Sequence, residues 1–402
     1  LILKSAEGGF QGAGFAGGFR SEKPVPPVPR LRGSFGTVNV YCLKNIMNNI
    51  TICYIAGREA TYSRTAIVYK ALHQAGFQII GLFPPDKRFS HYPKLMWQFL
   101  WKQKGCDLIV VGFYGQLLML AVRLLTRKPV LYDIYISTFD TMVYDRRKTT
   151  PQSFMAGLYR TVDRLSMLWA DRILLETADH ITDYSDKFKV PEKKFKQLFL
   201  AVDDEVIAPV PAVQPSDYFL VHFHGEYAPF HGVRTILKAA YLLKGEAVRF
   251  EIVGTGITYD EDMKLARQYE LDHVKFIDWV PYNELALSMS RAHCCLGIFG
   301  DNPRTFRVLT NKVVEALAVA RPLITVRNNP VQELVQDMES ALLVPPADPD
   351  ALAAAILWLR DHPAQAKKIG DRGYRQFKTH CTLSGFSDRL KTIVNQILTG
   401  GV

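Results

Sequence analysis

Between Arg307 and Pro346 the chain reads RVLTNKVVEALAVARPLITVRNNPVQELVQDMESALLVPP, where an apolar-faced helix, a buried strand, a second helix and a second strand follow one another. Strands separated by helices cannot close a tight hairpin, so they pair in parallel, and a parallel sheet needs helices on both faces. That alternation confines the segment to the α/β class. In Asn311 to Ala318 the apolar residues recur at helical spacing and leave Lys312 and Glu315 in the first turns, where backbone N–H groups are unpaired. Such a helix start suits an anion, usually a phosphate. Lys312 would add a charge to a diphosphate, and Glu315 has the reach to accept hydrogen bonds from ribose hydroxyls. The alternative for this pair alone is a surface helix whose Lys and Glu are merely solvated.

The same alternation runs through most of the chain. Residues 50–55, 77–82, 106–112, 129–134 and 172–177 are buried-strand runs, with a helical period over 64–76. A polar, Pro-bearing stretch, 203–217, then separates a second series: strands at 218–224, 248–253, 274–277 and 294–298, helices at 232–243 and 282–290. Two Rossmann-like, doubly wound parallel-sheet domains are therefore expected, at 47–207 and 208–380, with residues 381–402 as a closing helix. Residues 1–46 begin with Leu, are Gly-rich and carry a polyproline-like run from Pro24 to Pro29; they read as a disordered or upstream tail, with Met47 as a natural start.

With 402 residues, 48% hydrophobic and 22% charged, the chain can bury two cores. The formal charge of +10 is uneven: the first 46 residues hold six basic and two acidic side chains, a net of +4, leaving +6 for the rest. That balance suits phosphorylated ligands or an anionic membrane face, and it lacks the dense Lys/Arg runs of a nucleic-acid binder. The six cysteines show no CxxC spacing, which fits a reducing cytoplasm. Arg123 and Arg127 interrupt the best candidate for a spanning helix, so no membrane crossing is expected.

The stretch Glu315 to Pro322, with its Glu-Ala-Leu-Ala pattern, together with Glu333, Ala341 to Pro346 and Asp348 to Leu352, resembles the nucleotide-sugar half of family 4 glycosyltransferases. These are retaining enzymes of the two-domain GT-B fold, and the likeness covers roughly residues 50–398. It implies a fold of two facing domains with the last helix crossing back to the first. It also implies sugar transfer from a nucleotide donor, UDP in preference to GDP, to a glycan or lipid-linked acceptor in cell-surface polysaccharide or glycoconjugate synthesis. Gly225 at the first strand's end, the turn Gly254-Thr255-Gly256 and Val280 after the strand at 274–277 look like the donor-side loops of that family, joining Asn311, Lys312 and Glu315.

Two departures stand out. The family's second Glu, eight positions before Glu315, is here Arg307. The Arg and Lys that grip the diphosphate are replaced by Glu226 after Gly225 and by His231 before Gly232. Arg307 and Lys312 together are expected to supply the lost charge, against the alternative that Arg307 pairs with a surface carboxylate. His222, His224 and His231 read as core or cleft histidines, with no metal or other cofactor expected. In the first domain Gly57 and Arg64 stand where the family admits the acceptor, and Asp133 is the candidate to orient or deprotonate it; its other reading is a partner for Arg64. The Trp- and Lys-bearing stretch from Arg88 to Lys102 is amphipathic enough for peripheral membrane contact or for packing on the sheet. A sugar-nucleotide epimerase and a catalytically silent nucleotide-sugar binder remain as alternative functions.

Overall fold

Short runs of Val, Ile and Leu such as Leu108 to Val111, buried along their whole length, form the middle strands of two separate parallel sheets. The computed structural model describes residues 50–400. The expected N-terminal tail, and Met47 with it, lies outside the described residues.

The first sheet holds β1 (Thr51–Ile55), β2 (Gln78–Leu82), β3 (Leu108–Val111), β4 (Val130–Asp133), β5 (Arg172–Leu175) and β6 (Phe195–Gln197), in the order β2-β1-β3-β4-β5-β6. The second holds β7 (Phe219–His224), β8 (Val248–Val253), β9 (Val274–Ile277), β10 (Cys294–Leu296), β11 (Leu323–Val326) and β12 (Leu342–Val344), in the order β12-β11-β10-β7-β8-β9. Every strand pair is parallel. Each order reverses once, at β1/β3 and at β7/β10, and such a reversal opens a crevice at the strands' carboxyl ends.

In the first domain α1 (Ser63–Gln74) covers one face, while α2 (Tyr92–Lys102), α3 (Gln116–Leu125), α4 (Phe154–Trp169) and α5 (Ala178–Phe188) carry the crossovers between β2 and β6. The second domain adds α6 (Val233–Leu242), α7 (Tyr259–Gln268), α8 (Tyr282–Arg291), α9 (Asn311–Ala318), the four-residue α10 (Asn329–Gln332), α11 (Pro349–Asp361) and α12 (Pro363–His380). Residues 203–217 contain neither helix nor strand. The last helix, α13 (Leu383–Leu398), returns to the first domain. Its Phe386, Leu390 and Val394 share a core with Ile67, Val68 and Leu72 of α1, and the Ser387 hydroxyl donates to the Ala71 carbonyl at 2.8 Å.

Two elements differ from expectation. The strand β6 carries a single buried residue in Phe-Lys-Gln, too short and polar to register as an apolar run. The second helix expected in 307–346 shrinks to α10, capped by the Asn328 side chain and opened by Pro330.

Candidate functional site

The carboxyl ends of the two sheets meet around a cavity of about 200 Å³. From the first domain come Arg58 and Tyr62 after β1, Tyr114 after β3 and Tyr135 after β4; from the second come His224 to His231 around the end of β7, and Arg304 to Glu315 after β10. Both topological switch points therefore contribute walls to one space.

The start of α9 opens into this cavity. No side chain caps it, and the buried Thr310 hydroxyl at the cap position has no partner. Lys312 is 7% exposed, and its Nζ lies 3.0 Å from Nε2 of His231. The other ring nitrogen of His231, Nδ1, donates to the Glu226 carbonyl, which leaves Nε2 as the acceptor for the lysine. Burial, with Lys312 close by, holds the imidazole well below its ordinary range, so it stays neutral. Burial also lowers the Lys312 ammonium from 10.5 to about 8, against the opposing pull of Glu315 and Glu226.

Gly225 lets this lysine in. A Cβ there would stand 2.2 Å from Lys312 Cε, and its φ of +144° is one that side chains disfavour. One turn along α9, Glu315 Oε2 is 2.8 Å from His224 Nε2, and the Tyr282 hydroxyl reaches Oε1 at 3.5 Å. Burial raises the Glu315 carboxyl, but His224 and Lys312 outweigh it, and the net shift is downward. Each carboxylate oxygen has one donor, so Glu315, which lines the cavity, retains acceptor capacity.

Several expected residues stand elsewhere. Arg307 does not line the cavity: its guanidinium lies 3.2 Å from Asp140 Oδ1 and 3.1 Å from Asp183 Oδ1, both of the first domain. Arg307 thus pairs with carboxylates, though one of them, Asp140, is buried and not at the surface, and it ties the domains together. Asp133 is fully buried, and both its oxygens accept from Arg64, at 2.8 and 2.9 Å. It holds Arg64 in place, and Arg64 faces the cavity while Asp133 does not. Gly254 and Gly256 serve backbone contact between loops: a Cβ on Gly254, whose φ is +131°, would meet the Gly225 carbonyl at 1.9 Å, and one on Gly256 would meet the Tyr227 nitrogen at 2.5 Å. Gly57 packs in the same way against the Tyr114 carbonyl, and Val280 is half-buried away from the cavity wall.

The structure adds one residue that sequence reading passed over, Arg304, and gives a contact to another, Glu333, that the family likeness named without one. Arg304 lines the cavity, paired with Asp145 of the first domain and stacked at 4.1 Å over the Phe230 ring. A turn in which the Asn302 side chain accepts the Thr305 N–H at 3.1 Å aims it there. Glu333 caps α5 across the domain boundary, accepting from the N–H groups of Ala178 and Asp179 at 2.8 and 2.7 Å. The signal for Arg304 is its place in a Pro-bearing loop at a strand's carboxyl end; nothing local marks Glu333 as a cap for a helix start 154 residues earlier.

Residues 219–362 match the model of a family described as Glycosyl transferases group 1. Among curated proteins, an uncharacterised glycosyltransferase of Methanocaldococcus jannaschii is 25% identical over 157 residues, which is 39% of this chain and 42% of that one. A D-rhamnosyltransferase of Pseudomonas aeruginosa is 23% identical over 236 residues, 57% of this chain and 61% of its own length. The chain thus spans less than two thirds of these relatives. Among solved structures, sucrose-phosphate synthase from Thermosynechococcus elongatus is similar with a TM-score of 0.75 at 18% identity, over 87% of this chain and 100% of that one. HepE from Anabaena in complex with UDP gives a TM-score of 0.67 at 12% identity, over 86% and 100%.

Proposed function

We propose, on the premise that residues 219–362 form a group 1 glycosyltransferase domain within a GT-B fold, that this chain is a retaining glycosyltransferase. Its donor on this reading is a sugar linked to a nucleoside diphosphate, UDP in preference to GDP. The acceptor is a glycan or a lipid-linked molecule in cell-surface polysaccharide or glycoconjugate synthesis. HepE is similar in fold and was solved with UDP and with UDP-glucose, which supports the choice of nucleotide. The cytoplasmic location we propose draws on the five described cysteines, all free and buried.

The observation that carries the reading is Lys312 at an uncapped helix start, buried in a cavity shared by two domains. The leaving nucleoside diphosphate gains negative charge as the glycosidic bond breaks, and preorganised donors in a dry site stabilise that charge better than water does. Lys312, the first-turn N–H groups of α9 and Arg304 take that role here. Glu315 takes the ribose hydroxyls, which fixes the anomeric carbon against an acceptor held by Arg64, Tyr62 and Tyr135. Asp133 acts through Arg64 as a positioning residue. The cavity is smaller than the roughly 300–1,000 Å³ usual for small-molecule sites, so donor entry requires the Arg304 and Arg307 bridges to part and turnover to follow their closure.

A second reading, a nucleotide-sugar binder without turnover, draws on Glu226 standing in the cavity wall where the family pattern has Arg. Mass spectrometry after incubation with a panel of sugar nucleotides separates the two. Slow release of UDP from a particular donor supports transfer, tight binding with intact donor supports the binder, and no binding of any nucleotide overturns both.

A further inference from the structure

The helices α2, α3 and α4 lie side by side over one face of the first sheet, and they expose side chains that a soluble surface normally hides. Trp97 and Trp101 stand one turn apart on α2, 63% and 58% exposed, with ring centroids 6.1 Å apart. Leu117 and Leu124 face outward on α3, and Phe154, 86% exposed, sits with Leu158 on α4. Inward-facing residues of the same helices, Leu95, Phe99, Leu118 and Val122, already supply the core, so packing on the sheet does not account for the outer row.

The charge carried by these helices' outer face is basic, with one loop carboxylate, Asp171, pairing with Arg123 at 3.3 Å. The three helices contain Lys94, Lys102, Arg123, Arg160 and Arg164, and their one carboxylate, Asp163, is fully buried, accepting from the Thr138 and Phe139 N–H groups at 2.9 and 2.8 Å. Exposed Arg147 and Lys148 extend the basic rim just before α4. Ordinary soluble faces intersperse both signs, and a protein partner of mixed charge would find no exposed acid on these three helices to pair with. Tryptophan beside lysine on an apolar ridge suits the boundary between acyl chains and headgroups, where the lysine stem lies along the apolar surface and its charge reaches the phosphates. The Lys104 ammonium lies 4.7 Å from the Trp101 ring centre, a cation–π contact within the same patch.

The layer also adjoins the cavity. Helices that cross over between parallel strands run back against them, so their first turns sit at the strands' carboxyl ends. Phe89 just ahead of α2, Leu117 in the first turn of α3, and Phe154 and Met155 at the head of α4 therefore form an apolar rim on the cavity's side of the domain. The Tyr92 hydroxyl at the head of α2 donates to the carbonyl of cavity-lining Tyr114 at 3.0 Å, and the loop that enters α4 carries cavity-lining Asp145 and Arg146.

We infer that the outer face of α2, α3 and α4 docks on an anionic phospholipid bilayer, with the cavity mouth near the membrane surface. The surface stands on its own geometry; the corollary that an amphiphilic, lipid-linked acceptor enters from this rim rests on the transferase reading above.

The full chain should co-sediment with vesicles of phosphatidylcholine mixed with phosphatidylglycerol, and not with phosphatidylcholine alone, and raised salt should weaken the binding. Trp97→Ser with Trp101→Ser, and separately Lys94→Glu, should each cut vesicle affinity by about tenfold or more. UDP affinity, measured on the same samples, should stay unchanged and so report an intact fold. The inference is overturned if the chain ignores anionic vesicles, binds both vesicle types equally, or if the variants bind as well as the parent. Variants that merely turn a dimer into a monomer, with vesicle binding untouched, would assign the face to a second copy of the chain. A chain that binds vesicles but no nucleotide would leave the docking surface standing and remove the transferase reading.

Discussion

Replacing Lys312 by Met removes a charge that opposes folding and favours the ligand, so it should raise stability while lowering donor affinity. The unfolded chain holds this lysine's proton up to about pH 10.5 and the empty folded protein only up to about 8. Between those values the unfolded state binds more protons, so the parent protein gains stability as pH rises through the window and carries the full penalty below it. At about 1.4 kcal/mol per pH unit, a depression from 10.5 to about 8 amounts to roughly 3 kcal/mol at pH 7. The Met variant lacks that penalty. Without ligand it should be the more stable protein near pH 7, with the difference closing as pH approaches 10.5. Chemical denaturation at two pH values reads both the size and the sign. Binding moves the opposite way: losing a hydrogen bond to a charged group costs about 1.5–3 kcal/mol, so UDP affinity by calorimetry should fall roughly 10- to 150-fold. A variant that is less stable at pH 7 and binds UDP as before would refute both the buried-charge argument and the diphosphate role.

The bridging residues give further tests. Asp133→Asn leaves the buried Arg64 guanidinium without a counter-charge and should cost about 3–5 kcal/mol in denaturant titration; a change near zero would mean that the pair is not desolvated. Arg304→Ala should weaken UDP binding about tenfold, while Arg307→Ala, which removes contacts to Asp140, Asp183 and the Tyr144 ring outside the cavity, should not weaken it. The reverse order in calorimetry would restore Arg307 to the phosphate site. Glu333→Ala frees two N–H groups at the head of α5, and small-angle scattering should show a more open average shape; an unchanged curve would deny Glu333 its part in closure. Finally, His231→Lys placed on the Lys312→Met background should recover part of the lost UDP affinity, and calorimetry showing none would mean that a cation at position 231 cannot reach the ligand.

The fold was legible because strand burial and helix period are local properties. Runs such as Leu108 to Val111 and Leu323 to Val326 declare themselves through apolar side chains on both faces, and the helix from Asn311 through a one-sided apolar pattern. β6 escaped because an edge strand of three residues needs only backbone pairing with Ile173 to Leu175. The place of Lys312 and Glu315 in the cavity wall was legible for a related reason, since a helix start fixes which residues stand near its free N–H groups. The site was not legible where function depends on distant partners. Arg307 and Arg304 lie three residues apart in one loop, and their separate destinations are set by Asp140, Asp183 and Asp145, all more than 100 residues earlier.

The replaced cations show the same limit from another side. Reading by position, Glu226 and His231 look like the loss of a diphosphate grip, because the family pattern has Arg and Lys there. In space, the ammonium of Lys312 lies within hydrogen-bond distance of the ring that occupies the former lysine's position, and it threads past Gly225, where any side chain would block it. A positive charge therefore stands beside the ring at position 231, supplied from the first turn of α9 and not from the loop after β7. His231 stands there as the neutral acceptor that orients that charge. Electrostatic stabilisation of a diphosphate depends on where charge stands and how dry its surroundings are, not on which strand supplies it. That is why a missing Arg and Lys do not by themselves argue for a silent site, and why Lys312, Gly225 and His231 have to be read as one unit.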